Sequence, residues 1–113
     1  MEISREQVGP IATLTLAGRL TVTDTPGRLK NEAADAIRAG ATAVILDLTH
    51  VPYIDSTRLG ELIATQITVS RQNGRLALVC PTQRITALLK LAGLEGVFET
   101  FPSVDAARTA LGG

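Results

Sequence analysis

The stretch that most constrains this chain is Ala43-Val44-Ile45-Leu46-Asp47-Leu48, a nearly continuous apolar run. Such a run suits a strand covered on both faces, the kind found at the centre of a parallel sheet. A parallel sheet needs crossover segments between its strands, most often helices. The flanking sequence supplies them.

Residues 2–7 read as a weak strand, and Gly9-Pro10 as turn punctuation. Ile11-Ala12-Thr13-Leu14-Thr15-Leu16 alternates with a period of two, so it predicts a strand with one buried face, paired to the first in an antiparallel hairpin. After Gly18-Arg19-Leu20 comes a polar loop, Thr21 to Thr25. Thr25-Pro26 then predicts a helix start, with Leu29, Ala33, Ala34 and Ile37 at helical spacing and Gly40 as the stop. Beyond the central run, Leu59, Leu62, Ile63, Ile67 and Ser70 trace a second helical face that ends at Asn73-Gly74. Arg75 to Cys80 predicts another buried strand. Ile85, Leu88, Leu89 and Ala92 mark a third helix, Val97 to Phe101 a short edge strand, and Ser103 caps a last helix carrying Val104, Ala107 and Leu111. The expected order is β-β-α-β-α-β-α-β-α. This is an α/β sandwich around a mostly parallel sheet, with an N-terminal antiparallel hairpin and four helices.

At 113 residues one domain spanning 1–113 is expected, and 45% hydrophobic residues suffice for its core. Eleven Lys+Arg balance eleven Asp+Glu, so no net charge draws the chain to nucleic acid or to anionic lipid. Aromatic residues make up only 3%, which leaves little to stack against bases. Neither nucleic acid nor membrane is expected as a partner. One cysteine and one histidine exclude an internal disulfide and the common zinc sites, so no metal or cofactor is expected. The N-terminus lacks the apolar core of a signal peptide, and no apolar run approaches the ~20 residues of a membrane span. A cytoplasmic location is the expectation.

In open α/β sheets ligands and partners are met beyond the carboxyl ends of the strands. The junction there that carries most chemistry runs from Leu48 to Gly60: Leu-Thr-His-Val-Pro-Tyr-Ile-Asp-Ser-Thr-Arg-Leu-Gly. Asp55, Ser56 and Thr57 stand where the second helix begins, and unpaired N–H groups there favour negative charge. The plain reading is that Asp55 or Ser56 caps the helix. Arg58 is harder to account for, because a cation in the first turn opposes the helix dipole by about 0.3–1 kcal/mol. Glu61, three residues on, can partly compensate.

This segment, with Asp47-Leu48 before it, closely resembles the signature of STAS domains. More narrowly it is similar to that of bacterial anti-sigma factor antagonists, a D-L strand end followed by an aromatic, an aliphatic and D-S-[ST]-G-L-G. Gly18, Cys80-Pro81, Leu91-Ala92-Gly93-Leu94, Phe98 and the Ala-rich last helix extend the likeness over nearly the whole chain. It implies a STAS-like sandwich and a switchable binding protein acting in transcription regulation, not an enzyme. An anti-sigma factor with serine-kinase activity would dock here and phosphorylate Ser56, with Thr57 the second candidate; the sigma factor would be affected only indirectly. Asp55, Thr57, Arg58, Thr21 and Asp24 would meet that partner. Two positions depart from the pattern. The family's Gly is Arg58, and the acids often found after the second strand are replaced by Arg19 and Thr21, with Asp24 the nearest. Both shift the surface in the basic direction. They leave open an alternative, a STAS subunit of a stressosome-like scaffold or a phospholipid-transport complex, without a phospho-switch.

Other candidates carry less. His50 shares the loop with Asp55 and Ser56, but three neighbours on one short turn rarely converge as a catalytic triad does, and no G-x-S-x-G elbow is present. Phosphate-cradling glycine loops are lacking as well. Cys80 reads as a small core residue. Arg71, Arg75 and Arg84 read as solvated surface, and Leu88, Leu89, Leu91 and Leu94 as core with an apolar docking patch as the other possibility.

Overall fold

The computed structural model describes residues 2–18, 27–52, 54, 56–79, 82–94 and 96–112, of which residues 56–58 are described by backbone alone. Five strands form one sheet in the order β1-β2-β3-β4-β5: β1 (Glu2–Val8), β2 (Ile11–Ala17), β3 (Ala43–His50), β4 (Arg75–Val79) and β5 (Glu99–Phe101). The β1–β2 pair is antiparallel and every other pair is parallel. The apolar run therefore lies in the middle of the sheet, as its composition predicts.

Because strand side chains alternate between faces, the sheet builds two cores. Ala12, Leu14, Leu16, Val44, Leu46, Leu48, Leu76 and Leu78 point to one side. There they meet α1 (Arg28–Arg38), α2 (Ser56–Arg71) and α3 (Gln83–Leu91) through Leu29, Ala33, Leu59, Leu62, Ile85 and Leu89. Ile11, Ala43, Ile45, Ala77 and Val79 point to the other side, where α4 (Val104–Ala110) covers them with Ala107, Val104 and the following Leu111. Placing α4 alone on this face has a cost at β2. Thr13, expected on an open face, is buried at 6% exposure, and its hydroxyl has no hydrogen-bond partner among the described residues.

The helix ends follow from local chemistry. Asn73 adopts a left-handed φ of 61°, letting its N–H reach the Ser70 carbonyl and the Gly74 N–H reach that of Val69. These two bonds satisfy carbonyls that α2 leaves unpaired. Gly74 itself is required by space, since a Cβ there would lie 2.9 Å from both Ile37 Cδ1 and Val69 Cγ1. Thr82 and Ser103 cap α3 and α4 by accepting the N–H groups of Ile85 and Ala106.

Several sequence expectations are corrected. The first helix begins at Arg28 after Gly27, not at Pro26; Thr25 and Pro26 lie outside the described residues. The inner face of α2 is Leu59, Leu62, Thr65 and Val69, while Ile67 and Ser70 are exposed. Thr65 tolerates full burial because its hydroxyl donates to the Glu61 carbonyl at 2.8 Å. The edge strand starts at Glu99, two residues late. Arg75 is not merely solvated: it forms a two-pronged pair with Glu99, at 2.5 and 3.3 Å, which ties β4 to β5. That hydrogen bond, followed by the charge of Glu99, raises the Arg75 pKa above its ordinary value. Leu91 is 87% exposed, whereas Leu89 is core. Cys80 and Pro81 lie outside the described residues.

Candidate functional site

Three strand-to-helix junctions gather at the carboxyl edge of the parallel strands. The first leaves β2 at Gly18 and enters α1 after Gly27; the second leaves β3 at His50 and enters α2 at Ser56. The third leaves β4 and enters α3 after Thr82. Their ends are tied together by hydrogen bonds. The Gly18 N–H donates to the His50 carbonyl at 3.1 Å, and the Thr82 hydroxyl makes a long contact of 3.4 Å to the Pro52 carbonyl. Val51 and Ile54 are buried, so the link between β3 and α2 is anchored at two points by apolar side chains.

Ser56, Thr57 and Arg58 form the first turn of α2, at this edge. That turn contains no acidic residue, and a helix N-terminus is a position suited to added negative charge. Asp55, Thr21 and Asp24 lie outside the described residues. Both flanks of the segment carrying Thr21 and Asp24, at Gly18 and Gly27, belong to the same edge. Asp47, the acid of the D-L pair, is engaged locally. Its Oδ1 accepts the Thr49 N–H at 3.0 Å and the Thr49 hydroxyl at 2.5 Å, an Asx-type arrangement that shapes the strand end. His50 is exposed at the end of β3.

One residue of this region has a role the sequence reading missed. Glu61, one turn beyond Arg58 on α2, accepts the Leu29 N–H of α1 on its Oε1 at 3.0 Å. Helix α1 has Gly27 as its N-cap, in the left-handed region at φ 78°, with no side-chain cap and no acid in its first turn. The sequence carries no clear signal for this bond, because Thr25-Pro26 offers a cap ahead of the start at Arg28 that the structure shows.

Away from this edge, a cavity of about 160 Å³ is lined by Thr86, Leu89, Phe98 and Thr100, between α3 and β5. Among the described residues no group of three or more His, Cys, Asp or Glu is placed to hold a metal ion. No helix among them is long and apolar enough to cross a membrane.

The family model of the STAS domain matches residues 2–107. The chain belongs to the STAS domain family. Solved structures share its fold. A putative anti-sigma factor antagonist from Thermotoga maritima superposes with a TM-score of 0.86 at 21% identity, covering 98% of this chain and 95% of that one. An anti-sigma factor antagonist from Mycobacterium paratuberculosis gives 0.83 at 21%, covering 99% and 94%. The Bacillus cell fate determinant SpoIIAA, in its phosphorylated form, gives 0.72 at 15%, covering 96% and 99%. At such identities the likeness is one of fold: this STAS chain has the architecture of anti-sigma factor antagonists. Comparison with curated proteins by sequence returns no match.

Proposed function

We propose that this STAS protein is an anti-sigma factor antagonist, a binding protein that sequesters an anti-sigma serine kinase through the carboxyl edge of its sheet and releases it once Ser56 is phosphorylated. The observation carrying this reading is the place of Ser56, first residue of the 16-residue helix α2 at that edge, within Asp55-Ser56-Thr57. Phosphorylation adds about −1.5 to −2 charges. At a helix N-terminus the fold accommodates them. A partner docked over a neutral hydroxyl is repelled, and about 1.4 kcal/mol of repulsion already lowers affinity tenfold. The nucleotide chemistry belongs to the kinase, so this chain needs no phosphate loop of its own.

The test is mass spectrometry of the protein incubated with its partner kinase and ATP. A single added phosphoryl group, mapped to Ser56 and absent from the Ser56→Ala variant, is the expected result; an unchanged mass rejects the reading. Arg58, where the family pattern has Gly, favours a second reading, a STAS subunit of a larger assembly with no phospho-switch. Affinity capture separates the two, since the first predicts recovery of a small ATP-binding kinase and the second a transporter subunit or further STAS proteins.

A further inference from the structure

We propose that Glu61 is a positioning residue of the docking edge, holding the first turn of α1 against α2 so that the two helix starts, at Gly27 and Ser56, keep one fixed relation. The inference rests on the docking reading above and adds to it a residue outside the Asp55-Ser56-Thr57 motif. Three observations carry it. The N-cap of helix α1 is a left-handed glycine that offers no side chain, and its first turn Arg28-Leu29-Lys30 contains no acid. The acceptor that its Leu29 N–H finds is 32 residues away in sequence, on α2. Glu61 is half-buried, and the Thr65 hydroxyl donates to its carbonyl one turn later.

A carboxylate suits this position better than a neutral acceptor. Charge-assisted hydrogen bonds to backbone N–H groups are stronger than neutral ones, and the N-terminal dipole of α1 adds to the attraction. Below this bond the two helices already share a core, through Leu29 and Ala33 of α1 and Leu59 and Leu62 of α2. Apolar packing fixes their separation, and the Leu29–Glu61 bond adds a directional constraint on their relative height. It thereby sets the height of Gly27, where the segment carrying Thr21 and Asp24 ends, relative to Ser56.

The experiment compares wild type, Glu61→Gln and Glu61→Ala by two readouts. Amide hydrogen exchange followed by NMR is expected to show Leu29 protection falling about tenfold in Glu61→Ala, with partial retention in Glu61→Gln and unchanged protection at Leu46 in the sheet. Steady-state phosphorylation by the partner kinase is expected to show KM raised about tenfold in Glu61→Ala with kcat within about twofold, and KM largely rescued in Glu61→Gln. Undiminished Leu29 protection in Glu61→Ala overturns the proposal, and so does lost protection with an unchanged KM. A wild type that no kinase modifies refutes the docking reading itself, whereas a modified wild type with an equally modified Glu61→Ala refutes only the role given to Glu61.

Discussion

The Gly18 N–H donates to the His50 carbonyl at 3.1 Å, fastening the end of β2 to the end of β3 past the last regular rung of their ladder. The register shifts between Thr15 and Ala17, so this bond closes a local irregularity and makes the two strands leave the sheet together. The junctions that follow them start from one fixed point.

Under the proposed function, Ser56→Asp keeps the fold and loses the partner. A carboxylate at the first position of α2 interacts favourably with the helix dipole, so thermal unfolding is expected to show stability equal to wild type or higher by about 0.3–1 kcal/mol. Isothermal titration with the kinase is expected to show affinity at least about tenfold weaker. Equal affinity for the two forms rejects the switch.

Two glycines of opposite character provide a packing test. Gly74→Ala forces a Cβ against Ile37, Val69 and the Val69 carbonyl, and chemical denaturation is expected to show a loss of about 1–3 kcal/mol. Gly60→Ala places its methyl in open space on α2, and a gain of about 0.5–1 kcal/mol is expected. If the two variants change stability equally, the close approach at Gly74 is wrong.

Thr13→Val replaces a buried hydroxyl that lacks a partner with a methyl of similar shape. Leaving such a group unsatisfied costs about 1–3 kcal/mol, so urea denaturation is expected to find the variant as stable as wild type or more so. A clear loss of stability means that the hydroxyl is bonded in solution.

Leu89 and Leu91 sit two residues apart with opposite surroundings, 4% and 87% exposed. Leu89→Ala is expected to cost about 2–5 kcal/mol. Leu91→Ser is expected to stay within about 0.5 kcal/mol of wild type. Both are read from thermal or urea unfolding curves.

Much of this architecture is legible in the sequence, for reasons that differ by element. The run 43–48 announces a strand buried on both sides because the parallel sheet leaves no face open there. Asn73-Gly74 marks a helix end because a left-handed residue is needed at that step. The face of α2 is legible in part: Leu59 and Leu62 are inner positions and Ile63 packs against the core, but Ile67 and Ser70 turn to solvent, and Thr65 and Val69 take the inner places, Thr65 by bonding back to Glu61. The burial of Thr13 was hidden, since which half of the second face α4 covers is a tertiary choice. The candidate site was legible as a motif, Asp55-Ser56-Thr57 after a strand end. The Leu29–Glu61 bond was not, because Thr25-Pro26 reads as the helix start and a contact across 32 residues leaves no local pattern.

The pairing of Glu2 with Ala17, and of Ala17 with His50, puts the start of β1 on the same rim of the sheet as the β3–α2 junction. α4, by contrast, follows β5, whose Phe101 pairs with Val79 at this rim, and runs back from it along the sheet face to Leu111. Under the proposed function, a purification handle or fluorophore fused ahead of Glu2 would crowd the approach of the kinase, whereas one fused after Gly112 would hang clear of it.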